Sequence, residues 1–128
     1  MIESTFKLEF GKVSFLDNIL IAELNEGILF DIPHNRELLK IGQETFNNQP
    51  YGYISNRTNS YSVNPMIHLE SANVENLAAI AVVSTNTVVK QNTIIEKQFF
   101  RHSSSFEVFE TLEEAVVWIE GQLKLIKQ

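Results

Sequence analysis

The chain has no cysteine among its 128 residues. This absence excludes disulfide bonds, thiolate nucleophiles and zinc or iron–sulfur sites built on cysteine. Glycine is sparse as well, and the five glycines stand singly, so the sequence has no glycine-rich phosphate loop. A Gly-x-Ser-x-Gly nucleophile motif does not occur either. Several common catalytic arrangements are therefore excluded.

Basic residues are also few. Lysine and arginine number 10 against 16 acidic residues, which gives a formal net charge of −6. Because this charge repels phosphates and the basic residues form no stripe, we expect no nucleic-acid partner. The longest apolar run, Leu77–Val83, is too short to span a bilayer. Residues 1–6 lack the pattern of a secretory signal, so we expect a cytoplasmic protein.

What remains is an ordinary globular composition, with 44% hydrophobic and 20% charged residues. A chain of this length has the usual size of one domain, and no linker or repeat interrupts it. We therefore predict a single domain over residues 1–128.

The first third of the chain predicts an antiparallel meander. Apolar and polar residues alternate over residues 6–15, and the alternation shifts by one residue at Gly11. This shift indicates two short strands, or one strand with a bulge or turn. Asp17-Asn18 is typical of a two-residue turn, and Ile19–Leu24 follows as a strand. Residues 28–30 add a few residues of strand.

Four helices are predicted after the meander. Asp31 caps the first helix, which stops at Asn47, and a short helix covers residues 65–71. Asn86 caps the third helix, for which the spacing of apolar residues predicts one apolar face, Val88, Ile95 and Phe99, with Val89 and Phe100 nearby. The fourth helix begins at Leu112 after a capping box, Thr111 with Glu114, and runs to about Ile126. Its apolar stripe includes six residues: Leu112, Ala115, Val116, Ile119, Leu123 and Ile126.

Strands alternate with these helices at residues 51–57, 77–83 and 106–109. Because Leu77–Val83 is continuously apolar, we place it at the centre of the sheet beside Tyr51–Asn56. The element order predicts the α/β (α+β) class: one mixed β-sheet with an N-terminal antiparallel meander and about four helices.

The residues that could carry chemistry are not arranged in a known pattern. His34, His68 and His102 lie far apart in sequence, without the spacing of metal ligands. We therefore predict no catalytic residue, metal or cofactor, and no enzymatic activity. An enzyme would need a convergent cluster such as Arg57, Tyr61 and His68 in one cleft.

One polar segment, residues 56–65, stands out because it follows a central strand and leads to a helix start. In α/β sheets this edge is where ligands tend to bind. Its candidate contact or phosphoacceptor residues are Arg57, Ser60, Tyr61 and Ser62. The alternative is a polar loop whose side chains satisfy local backbone groups.

Three segments resemble the STAS domain of bacterial anti-sigma-factor antagonists. Residues 106–119 resemble the family's terminal strand and capped helix, and residues 77–84 resemble its hydrophobic strand before the third helix. The run Asn59-Ser-Tyr-Ser-Val-Asn-Pro65 resembles a motif of a Bacteroidetes-type branch of that family. The likeness in architecture covers most of the chain.

The resemblance implies a regulatory domain that binds a protein partner, such as an anti-sigma kinase, with a homodimer as a further option. Family members are phosphorylated on a serine within an Asp-Ser-Ser-Gly-like motif at a helix start. Ser60 or Ser62 stands at the corresponding place, although the Asp and the Gly of that motif are absent and Pro65 occupies the helix start.

The second hypothesis is a small-ligand or lipid-binding module, as a similarity to CRAL-TRIO domains would imply. Four aromatic rings would then line a pocket: Phe99, Phe100, Phe106 and Trp118. Rings of this kind more often form plain core, because pockets are few per protein.

Overall fold

The structure is a computed structural model that describes residues 4–127. The strands are β1 (Ser4–Leu8), β2 (Gly11–Leu16), β3 (Ile19–Leu24), β4 (Leu29–Phe30), β5 (Tyr51–Asn56), β6 (Ser62–Val63), β7 (Leu77–Val83) and β8 (Phe106–Phe109). The helices are α1 (Ile32–Phe46), α2 (Ile67–Ser71), α3 (Thr87–Phe99) and α4 (Leu112–Lys127), with a 3-10 turn at Ser103–Ser105. Residues 1–3 lie outside the described residues. They belong to the segment 1–6, for which the sequence predicts no secretory signal.

Six strands form one mixed sheet in the order β1-β2-β3-β5-β7-β8. The first three strands are antiparallel, and Asp17 turns between β2 and β3 with φ of 51°. The slip at Gly11 corresponds to two strands, because β1 ends at Leu8 and β2 starts at Gly11. The predicted fold class and its N-terminal meander are confirmed.

The second half of the sheet is parallel, and β7 lies between β5 and β8. Of its seven residues, Ala78 alone is half-buried and the others are buried. The predicted central position of Leu77–Val83 is therefore confirmed. The connections β3-α1-β5, β5-α2-β7 and β7-α3-β8 all step in one direction, which places their helices on one face of the sheet.

Helix α4 covers the opposite face. Of the predicted capping box, the structure shows the Thr111 cap, since the Glu114 backbone N–H donates to Thr111 Oγ1 at 3.2 Å. The Glu114 carboxylate accepts from the Thr111 hydroxyl at 3.0 Å. Ala115, Ile119 and Leu123 pack against the strands beneath. The predicted stripe is confirmed for these three residues, whereas Ile126 is 52% exposed.

Helix α3 departs from its sequence pattern. Its Asn86 cap is confirmed, because Asn86 Oδ1 accepts from the Val88 and Val89 backbone N–H groups. The apolar face predicted from Val88, Ile95 and Phe99 is wrong for its first two residues, since their side chains are 62% and 51% exposed, whereas Phe99 is half-buried. The nearby Val89 packs on the core, and Phe100 is buried. The buried residues of this helix are instead polar: Thr93 and Glu96.

Two short strands, β4 and β6, pair in parallel outside the main sheet. The sequence predicts a strand at residues 28–30 as part of the antiparallel meander, which is wrong in its pairing, because β4 pairs in parallel with β6. For residues 58–64 the sequence predicts a polar loop. Because backbone N–H groups of Ser62 and Asn64 donate to carbonyls of Ile28 and Phe30, this loop is tied to the segment after β3.

No helix in the described part of the chain is both long and apolar enough to cross a membrane.

Candidate functional site

A groove of about 710 Å³ opens at the carboxyl ends of β3, β5 and β7. One wall is residues 60–65, part of the segment 56–65 that we call the elbow, together with the turn at Glu26-Gly27. Helix α3 forms the other wall through residues that include Val88, Asn92 and Ile95. The sequence predicted that this edge of the sheet would carry the site.

The floor of the groove includes a buried ion pair. Arg57, just after β5, binds Glu96 of α3 through two hydrogen bonds, Nη1 to Oε2 at 2.8 Å and Nη2 to Oε1 at 2.6 Å. His68 of α2 adds a third contact, with Nε2 at 2.9 Å from Glu96 Oε1. We call these three residues the clamp. Their side chains are 7%, 3% and 4% exposed for Arg57, Glu96 and His68.

Neighbouring groups hold the Arg57 guanidinium in place. Its Nε donates to Ser55 Oγ at 3.0 Å, and its central carbon lies 5.9 Å from the centre of the Tyr61 ring. The Tyr61 hydroxyl lies 3.3 Å from the same Ser55 oxygen. Together these contacts combine a bidentate ion pair with a cation–π contact, an arrangement suited to arginine rather than lysine.

Contacts within the clamp shift the pKa values of Glu96 and Arg57. Burial alone would raise the pKa of Glu96, but hydrogen bonds from Arg57 and His68 outweigh it and lower that pKa to about 2. Burial would lower the pKa of Arg57, but its hydrogen bonds and attraction to Glu96 raise it instead. Burial raises the pKa of the Tyr61 hydroxyl. Near neutral pH the clamp therefore contains a carboxylate and a guanidinium that neutralise each other.

The cluster that an enzyme would need does converge, because Arg57 and His68 both bind Glu96 and Tyr61 lies beside Arg57. Within this cluster, Glu96 is poorly suited to accept a proton. A carboxylate with a pKa of about 2 is a weak base at neutral pH. The guanidinium is also engaged by Glu96, which reduces its attraction for an external anion.

The predicted contact residues of the elbow lie at different depths. Arg57 turns inward, Tyr61 is half-buried, and Ser60 and Ser62 are exposed at the groove. The Ser60 backbone N–H donates to Glu26 Oε1 at 2.8 Å, and its carbonyl accepts from the Gly27 N–H at 2.8 Å. The two serines are therefore exposed on a loop that hydrogen bonds to the Glu26-Gly27 turn hold in place.

Aromatic rings proposed for a lipid pocket do not meet around one space. Phe100 and Phe106 lie in the core beneath α2 and α3, with ring centres 6.0 Å apart. Trp118 packs on Phe109 beneath α4, on the opposite face of the sheet. Phe99 is half-buried at the end of α3.

Metal ligation has no geometric basis within residues 4–127, since no group of three or more His, Asp or Glu side chains there could hold an ion. His34 is used in the α1 cap, where its Nδ1 accepts from the Asp31 backbone N–H at 3.0 Å. His68 belongs to the clamp. His102 is exposed and packs edge-on against Phe100.

Sequence reasoning missed Glu96. A signal for it exists, because Thr93, Glu96 and Phe100 recur at the spacing of one helix face. In sequence, however, the apolar residues Ile94 and Ile95 next to Glu96 favour a different face. The Arg57 partner lies 39 residues away, so the pair is visible only in the folded chain.

Comparisons with protein-family models, curated proteins and solved structures found no match to the chain.

Proposed function

We propose that this chain is a non-enzymatic regulatory domain that docks a protein partner along the groove. The docking face consists of Val88, Asn92 and Ile95 on α3 with Ser60 and Ser62 on the elbow. One observation carries the proposal: the clamp holds α3 by the side that carries Glu96, and three apolar residues of this helix are exposed, namely Val88, Ile94 and Ile95.

The charge distribution on α3 supports docking. Its exposed residues are all uncharged: Thr87, Val88, Gln91, Asn92, Ile94, Ile95 and Gln98. The two lysines of the helix lie toward β8, where Lys90 pairs with Glu110 and Lys97 with Glu107. Depletion of charge at the centre of a surface patch is typical of protein–protein interfaces. Because the chain has a net charge of −6, the uncharged α3 side of the groove is also a place where another acidic protein meets less repulsion.

The elbow offers a way to regulate docking, which the resemblance to anti-sigma-factor antagonists first suggested. A phosphate on Ser60 would carry about −1.5 to −2 charges close to the Glu26 carboxylate that holds the Ser60 backbone. The resulting repulsion would weaken the contact between the elbow and the Glu26-Gly27 turn. A phosphate on Ser62 would add the same charge directly to the groove.

Two variants, each of which introduces a charge at an exposed apolar residue, test whether a partner docks on this face. Ile95→Glu changes the docking face, whereas the control Leu125→Glu changes the outer side of α4, where Leu125 is 65% exposed. Tagged wild type and both variants are used to capture proteins from the native cell lysate, and bound proteins are quantified by mass spectrometry. We expect at least one partner bound by wild type and by Leu125→Glu, and reduced about tenfold or more by Ile95→Glu, for a loss of about 1.4 kcal/mol.

Capture that is equal for all three proteins, or no capture by wild type, would contradict the proposed face. Phosphosite mapping of the chain isolated from its own cells tests the regulatory part, with Ser104, an exposed serine outside the groove, as the internal comparison. We expect phosphate on Ser60 or Ser62 and none on Ser104.

Binding of a small apolar ligand is the weaker candidate, because the four rings invoked for it are divided between the two faces of the sheet. Native mass spectrometry of the purified chain would support this candidate if a small molecule co-purified. We also propose a cytoplasmic location, supported by the composition and charge rather than by any feature of the fold.

A further inference from the structure

A second, smaller space lies on the inner side of the clamp. It is bounded by α1, α2 and the strands β3, β5 and β7, and its lining includes Asn35, Tyr53, His68 and Ser71 among apolar residues. The volume in which the centre of a water molecule fits is about 10 Å³. This is close to the least space, about 10–15 Å³, that holds one water molecule. We call it the inner cavity.

Two buried polar atoms belong to residues that line the inner cavity. Within residues 4–127, the Tyr53 hydroxyl and His68 Nδ1 are the buried side-chain atoms without a hydrogen-bond partner. His68 as a whole is 3% exposed. Leaving a buried polar group without a partner costs about 1–3 kcal/mol, so native structures seldom do so.

The protein groups nearby are already engaged. Asn35 Nδ2 donates to Ser71 Oγ and to the Ile67 carbonyl. Ser55 Oγ is a side-chain atom in reach of the Tyr53 hydroxyl, but it is already shared by Arg57 and Tyr61. Two residues that line the inner cavity therefore each have a buried polar atom without a hydrogen-bond partner in the described region.

The hydrogen-bonding roles of the two atoms are complementary to water. Burial raises the pKa of the Tyr53 hydroxyl, which therefore keeps its proton and can donate. Because an ionised carboxylate only accepts, His68 Nε2 carries the proton that faces Glu96. Nδ1 is left as an acceptor, or as a donor if the ring is charged, and a water molecule can pair with it in either form.

We propose that the inner cavity is a binding site for one ordered water molecule, which bridges the Tyr53 hydroxyl and His68 Nδ1. This water completes a chain of hydrogen bonds from Tyr53 through His68 and Glu96 to Arg57. The clamp is thereby connected to the core beneath α1 and α2, and the ring of His68 is held from both of its nitrogens.

High-resolution crystal structures of wild type, Tyr53→Phe and Tyr51→Phe test the site. The control is matched, because Tyr51 lines the same cavity but its hydroxyl is not one of the unpaired atoms. We expect one water peak at about 2.6–3.2 Å from both Tyr53 Oη and His68 Nδ1 in wild type and in Tyr51→Phe. The peak is lost in Tyr53→Phe.

Nitrogen-15 spectra of the histidine ring provide a readout in solution. We expect the His68 Nδ1 resonance to shift in Tyr53→Phe and to stay unchanged in Tyr51→Phe. A wild-type structure in which Tyr53 and His68 bond directly, or in which the cavity holds no ordered water, would overturn the proposal. So would an equal shift of the Nδ1 resonance in both variants.

Discussion

Helices α3 and α4 lie on opposite faces of one sheet and are attached to the molecule by opposite means. Helix α4 packs through Ala115, Ile119 and Leu123, an apolar stripe at helical spacing. Helix α3 buries Thr93 and Glu96 and leaves Ile95 exposed. An amphipathic pattern therefore does not decide by itself which face of a helix is buried, because one buried ion pair can reverse the orientation.

The two attachments also differ in specificity. Burying an apolar side chain contributes about 1.5–3 kcal/mol. A helix rotated or shifted slightly, with other apolar side chains buried, would gain a comparable free energy. A buried ion pair contributes little net stability, because desolvation of both charges offsets their attraction. Its geometry is restrictive, however, since removal of one partner leaves the other charge buried. We infer that the clamp sets the orientation of α3 more than it adds stability.

The largest effect is expected from Glu96→Gln, which keeps the size of the side chain and removes its charge. Arg57 is then left as a buried cation without a counter-ion, and the free energy of unfolding falls by about 3–5 kcal/mol. Denaturant unfolding at neutral pH measures this change. Glu110→Gln serves as the control, because it removes an ion pair from α3 at a surface position and should have little effect.

The next effect concerns pH. The pKa of Glu96 is lowered from an ordinary value of 4.5 to about 2 in the folded chain. A lowered pKa contributes stability above pH 4.5, and this contribution is lost as the pH falls toward 2. It amounts to roughly 3 kcal/mol. The stability difference between wild type and Glu96→Gln should therefore shrink over this pH range in acid titrations of unfolding, and a constant difference would contradict the role of Glu96.

A smaller effect is expected from the conservative change on α4. Ile119→Val removes one methyl group from a fully buried site and should lower the free energy of unfolding by about 0.5–1.5 kcal/mol. The same denaturant measurement applies. If Ile119→Val lowered the free energy of unfolding as much as Glu96→Gln does, the attachment of α4 would be as sensitive to a single side-chain change as that of α3.

The smallest effect is expected at the outward face of α3. Ile95→Gln replaces an exposed apolar side chain and should change the free energy of unfolding by no more than about 0.5 kcal/mol. A clear destabilisation would indicate that Ile95 packs on the sheet in solution, as the sequence pattern predicts. Thermal unfolding of Ile95→Gln beside Ile119→Val checks both outcomes.

The sequence predicted those parts of the fold that depend on local signals. Asp31, Asn86 and Thr111 act as helix caps through contacts within a few residues, and the run Leu77–Val83 is central because it is apolar throughout. These features were confirmed because neighbours along the chain determine them. The stripe on α4 belongs to the same class.

The candidate site was predictable only in its position. The edge of the sheet and the elbow follow from element order, but the clamp joins Arg57, His68 and Glu96 from three separate elements. No local pattern encodes that pairing, because each residue is ordinary in its own segment. The pairing of β4 with β6 was missed for the same reason, since strands of two residues carry no periodicity.

The central claim, that a buried charge pair orients α3, is tested most directly by a double-mutant cycle between Arg57 and Glu96. The free energy of unfolding is measured for wild type, Arg57→Met, Glu96→Gln and the double variant at neutral pH. We expect each single change to cost about 3–5 kcal/mol and the double change to cost at least about 2 kcal/mol less than their sum. Additive losses would contradict the claim, because they would mean that the two side chains act independently.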